Sequence, residues 1–134
     1  MDAKSIAASD LTPLLEDEFV LSFWDSDSRC GQFDDFCERG LINPCENGEY
    51  IQWFLASTAR HPFLLHVLER VSHQIHTFDS QKYPPSKDSV LRLTGPTVYT
   101  IVIDTLLAQR NIPHTFYPDG VGQYVKYSVS EDWD

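Results

Sequence analysis

Phe54-Leu55-Ala56-Ser57-Thr58-Ala59-Arg60-His61-Pro62-Phe63-Leu64 carries the fold in miniature. Tyr50 to Ala56 reads as a buried strand. The small polar residues Ser57 and Thr58 can help cap a turn, and Pro62 suits the first turn of a helix, where a missing N–H costs nothing. Beyond it Leu64, Val67, Leu68, Val71, Ile75 and Phe78 recur at helical spacing, which predicts one apolar stripe on the core. On that pattern a charge at Leu68 is expected to unfold the chain. A second junction follows at Leu93-Thr94-Gly95-Pro96. Thr94 is the expected N-cap and Pro96 a first-turn residue. Val98, Ile101, Val102, Thr105 and Leu106 then line the face of a second helix, which Asn111 and Pro113 stop.

Outward from these junctions the chain alternates strands and loops. Phe19-Val20-Leu21-Ser22-Phe23-Trp24 is a nearly continuous apolar run, as a buried strand requires. Residues 25–49 are rich in Asp, Ser, Gly, Asn and Pro and read as irregular. Residues 79–89, with Pro84-Pro85, read as a linker. Thr115-Phe116-Tyr117, a Pro-Asp-Gly turn and the alternating run Gln123 to Val129 predict a terminal antiparallel hairpin. The fold class expected is α/β: a mixed sheet of about four strands with flanking helices.

Composition narrows the function. At 134 residues the chain is one domain or part of one, and 42% hydrophobic with 13% aromatic residues is a globular composition. Charge is uneven, −9 over residues 1–49 and −1 over the rest. No basic stripe exists to replace counterions on phosphates, which argues against nucleic acid. The same balance argues against contact with an anionic membrane surface. The acidic half is either a solvated face or a carboxylate-rich rim near a divalent metal. Three cysteines, Cys30, Cys37 and Cys45, form neither a disulfide framework nor a zinc spacing.

The order His61-Pro62-Phe63, then Thr94-Gly95-Pro96 some thirty residues on, resembles the C-terminal part of glycosyltransferase family 32, the Asp-x-Asp enzymes of the initiating α-1,6-mannosyltransferase type. The resemblance covers most of the chain and is strongest from Tyr50 to Leu107. It implies a GT-A-like domain over residues 1–134, incomplete, with its nucleotide-binding half upstream. It further implies transfer of a hexose from a nucleotide-sugar donor to a glycan or lipid-linked acceptor, with Mn²⁺ or Mg²⁺, and a Golgi or other endomembrane lumen if the source is eukaryotic. A degenerate relative that binds a glycan or a protein without catalysis is the alternative.

Candidate site residues follow from both arguments. Met1 to Leu15 resembles the family segment through the metal motif, where carboxylates hold the cation that neutralises a departing diphosphate. Asp2 matches the first carboxylate of the motif. Lys4 stands where the second belongs, and its ammonium can itself offset diphosphate charge. Asp25 and Asp27, directly after the strand ending at Trp24, are the alternative metal ligands, because α/β proteins bind ligands beyond the carboxyl ends of strands. His61 can orient a sugar hydroxyl or diphosphate at a helix start, or simply cap and pack. Thr94 and Gly95 expose backbone N–H groups at another helix start, and Gly95 permits close approach of a ligand; capping alone is the competing account. His66, His73 and His76 share a helix face that reads as solvated.

Overall fold

A computed structural model describes residues 5–23, 49–81 and 84–127. Asp2, Lys4, Asp25, Asp27 and the three cysteines lie outside the described residues. The architecture is mixed α/β. A 3-10 turn at Thr12–Glu16 and the strands β1 (Ser5–Ala7) and β2 (Val20–Leu21) come first. Among the described residues three helices follow: α1 (Pro62–His76), α2 (Lys87–Leu93) and α3 (Pro96–Gln109). Strands β3 (Thr115–Phe116) and β4 (Val125–Tyr127) close the described chain.

Strand pairing departs from the expected hairpin. β3 pairs in parallel with β2, Val20 opposite Thr115 and Leu21 opposite Phe116. β4 pairs antiparallel with β1, Ser5 opposite Tyr127 and Ala7 opposite Val125. The run from Thr115 to Tyr127 is therefore two strands in two ribbons. The turn between them is local: Gly120 N–H donates to the Tyr117 carbonyl, and Gly120 adopts φ +79°, a left-handed conformation natural to glycine. Parallel pairing of β2 with β3 requires a long crossover, and all three helices lie in it.

The segment expected as a strand from Tyr50 to Ala56 returns antiparallel beside β2, but with a wide bulge. Phe23 bridges Tyr50 and Phe19 bridges Ser57, so four residue steps on one side face seven on the other. Ile51 N–H donates to the Ser22 carbonyl and Val20 N–H to that of Ala56. The intervening residues leave the ladder and bury Phe54.

β2 is buried on both faces, which explains its unbroken apolar sequence. Phe19 and Leu21 face one core with Tyr50, Phe63, Tyr99, Ile103, Leu106 and Ile112. Val20 faces a second core with Leu14, Ile51, Phe54, Val121 and Val125.

Only part of the predicted stripe on α1 reaches the core. Phe63 is fully buried, and Leu64 and Val67 pack against the first core. Leu68 is 66% exposed and Ile75 58%. These two, with Leu65, share the flank turned away from Phe63 and Val67. The spacing identifies the helix and misassigns its buried face. On α3 the buried residues are Val98, Tyr99, Thr100, Ile103 and Leu106, while Ile101, Val102 and Thr105 are half-buried.

α2 corrects the expected linker at 79–89: the helix begins inside it and runs past it to Leu93. Ser86 caps it, its hydroxyl accepting from Ser89 N–H at 3.1 Å. By length and apolarity Ser89–Gln109 matches a membrane span. The stretch is two helices, however, broken at Thr94-Gly95, and α3 places five residues in the interior.

Candidate functional site

The two helix starts singled out by sequence are built differently. His61 is 3% exposed and is the N-cap of α1. Its Nδ1 accepts from Phe63 N–H at 3.3 Å, and its Nε2 lies 3.0 Å from the Pro113 carbonyl oxygen. A carbonyl can only accept, so Nε2 carries the proton and Nδ1 keeps its lone pair, a neutral tautomer set by both neighbours. The ring packs 4.7 Å from Phe19 and 4.9 Å from Phe63. Both nitrogens are thus engaged within the fold.

Thr94 does not cap α3. Its hydroxyl donates to the Val90 carbonyl at 3.2 Å and closes α2, and Gly95 occupies the N-cap of α3 without a side-chain bond. A Cβ at Gly95 would sit 2.7 Å from Leu91 Cα. The close approach that glycine permits here is to the backbone of α2. Among the described residues, no hydrogen bond joins His61 to Thr94 or Gly95.

A second cluster forms at the carboxyl ends of the parallel strands, the edge where open α/β sheets bind ligands. Ser22 is buried and donates to the Tyr117 carbonyl at 3.1 Å. Phe23 stacks on Tyr50 with centroids 4.9 Å apart and meets Phe116 edge-on at 5.0 Å. Asp25 and Asp27 follow Phe23 by two and four residues, outside the described residues. On the other face Asp17 accepts from Thr115 and Tyr117 hydroxyls, each at 2.6 Å. That bond to Asp17, with some burial, pushes the Tyr117 phenol up to about 12. Asp17 sits in the run Glu16-Asp17-Glu18, which reads as plain solvated charge. The signal for its role is the i, i+2 placement of Thr115 and Tyr117 on one strand face.

A third cluster lies between Tyr50 and α3. Tyr50 N–H donates to Thr100 Oγ1 at 3.0 Å. The Tyr50 hydroxyl bonds Asp104; burial, then that carboxylate, raises the phenol. Burial raises Asp104 itself, and the Tyr50 bond partly opposes it. Burial also raises Tyr99, whose hydroxyl is enclosed without a hydrogen-bond partner among the described residues. The sequence does not single out this group: Tyr50 reads as part of a buried strand, and Tyr99, Thr100 and Asp104 lie off the face predicted for the second helix.

The histidines of α1 stay on its outer side. His66 pairs with Glu69 at 3.0 Å, and His76 Nδ1 lies 2.8 Å from the Ser72 carbonyl. Among the described residues no three His, Cys, Asp or Glu side chains converge on a metal position. The described residues alone do not form a metal centre. The chain matches no family model, and it has no significant match among curated proteins or solved structures.

Proposed function

We propose that this chain is related to the C-terminal part of the family 32 glycosyltransferases and serves in transfer of a hexose from a nucleotide sugar to a glycan hydroxyl. The observation that carries the reading is that His61-Pro62-Phe63 and Thr94-Gly95-Pro96 open two helices packed on each other, inside a crossover between two parallel strands. A GT-A-like domain needs such an α/β layer. In the proposed reaction the acceptor hydroxyl attacks the anomeric carbon and the nucleoside diphosphate leaves. A divalent cation would offset the charge of that leaving group. Asp2, or Asp25 and Asp27, would hold it, and Gly95 would contribute a backbone N–H group; the Thr94 N–H is already donated to the Val90 carbonyl at 3.0 Å.

A second reading, a non-catalytic glycan- or protein-binding relative, is favoured by one specific observation. Both ring nitrogens of His61 and the open face of Gly95 are taken up by contacts within the fold. Titration of the complete protein with GDP- and UDP-hexoses, with and without Mn²⁺, separates the two. Metal-dependent donor binding is the result expected of the transferase relative. Binding of free oligosaccharide with no response to any nucleotide sugar would select the binding module.

A further inference from the structure

We infer that His61 is an acid-triggered latch that ties the first turn of α1 to the chain leaving α3. The inference is independent of the transferase reading and rests on where a second proton would have to go. The neutral ring donates from Nε2 to the Pro113 carbonyl and accepts at Nδ1 from Phe63 N–H. Protonation therefore falls on Nδ1, the atom that caps the helix. It converts an N–H···N bond into two opposed N–H groups, and it puts a cation at the positive end of the helix dipole. The imidazole is enclosed by Phe19 and Phe63, which offer no acceptor for the new proton.

The surrounding charges do not rescue the cation. On the same turn Arg60 is exposed and of the same sign; at the head of β2 Glu18 is exposed. Further along α1 His66 and Glu69 pair with each other. On the chain after α3, Arg110 is exposed, and His114 Nδ1 is engaged with the Ile112 carbonyl. α3 contributes Tyr99 and Asp104, and Asp104 bonds Tyr50. Among the described residues no carboxylate hydrogen-bonds His61. Arg60, immediately before it, holds φ +64°, a left-handed conformation unfavourable for a residue with a Cβ. Opening the latch frees that backbone as well, so acid releases the His61 ring from Pro113 and from the Phe63 N–H while the Phe63 side chain and the rest of α1 remain packed.

The test is residue-resolved NMR on the full chain as the pH is lowered from about 7.5 to about 4, with protonation of the ring followed directly. The ring-nitrogen shifts of His61 report its protonation. Hydrogen exchange at the Phe63 amide, corrected for its intrinsic pH dependence, reports the latch. The expected result is loss of Phe63 protection by about tenfold or more in step with protonation of Nδ1, with the Ile103 amide unchanged. His61→Asn, which retains a capping oxygen but does not titrate, should abolish the pH dependence. If His61→Asn does not fold, the wild-type measurements decide alone. A ring that stays in its neutral Nε2–H form throughout, or Phe63 protection that does not follow protonation, overturns the latch, as does the same pH dependence in a folded His61→Asn chain.

Discussion

Gly95 and Leu91 are in backbone contact: a Cβ built on Gly95 would lie 2.7 Å from Leu91 Cα and 2.8 Å from its carbonyl oxygen. Neither atom belongs to a flexible side chain, so the contact cannot be relieved by a rotamer change. It allows α2 to fold directly back on α3 through a two-residue break.

Gly95→Ala should therefore push α2 off α3 and cost about 1–3 kcal/mol, the range for overpacking a close contact. Urea denaturation of the purified variant checks this. An unchanged midpoint would mean that the two helices are not held this closely.

Two substitutions on α1 should behave in opposite ways. Leu68→Asp, on the exposed flank, is expected to change stability by no more than about 0.5 kcal/mol. Phe63→Ala, at a fully buried position in the first core, is expected to cost about 3–5 kcal/mol. Thermal melting of the pair is the measurement; similar losses for both would show that the helix is rotated relative to this description.

Asp104 gives a pH-dependent prediction. Burial raises its folded-state value above that in the unfolded chain, so the folded state binds the proton more readily. The stability tied to this group is present at low pH and falls as pH rises through the folded value. Asp104→Asn keeps an acceptor for Tyr50 and removes the ionisation. Its stability relative to the parent should therefore increase from pH 4 to pH 8, read from denaturant midpoints across that range. A constant difference would remove the argument.

The Asp17–Tyr117 bond has a spectroscopic signature. Asp17→Asn removes the carboxylate that the Tyr117 hydroxyl meets at 2.6 Å, so this phenol should titrate below its present value of about 12, nearer that of a free tyrosine. Ultraviolet titration of the phenolates compares parent and variant. Identical curves would place the hydroxyl elsewhere.

On the proposed function, in the complete protein Asp2→Ala should weaken the Mn²⁺-dependent activity more than Asp25→Ala or Asp27→Ala, and Lys4→Asp should strengthen metal dependence. Carboxylates are the ligands a hard divalent cation selects, and a protonated lysine is not one. Loss of the metal response in Asp25→Ala or Asp27→Ala alone would move the site to the carboxyl end of β2.

Local chemistry alone determined much of this protein. Pro62 and Pro96 begin helices because proline fits only the first turn, and the run from Phe19 is a buried strand because every alternate face is apolar. The helical period of α1 and the α/β class follow from the same patterns. Tertiary structure decided what depends on a distant neighbour. Thr115-Phe116 has the composition of a hairpin arm, but its partner is β2, nearly a hundred residues earlier, and strand alternation carries no record of the partner. Leu68 and Val67 are equally apolar, and only the position of the core separates a buried flank from an exposed one. His61 reads either as a ligand at a helix start or as a capping and packing residue, and Pro113 and Phe63, by taking its two nitrogens, select the second. Thr94 looks like an N-cap until the helix before it claims the hydroxyl. A short polar side chain at a junction can serve either element, and packing, through Gly95 against Leu91, selects which.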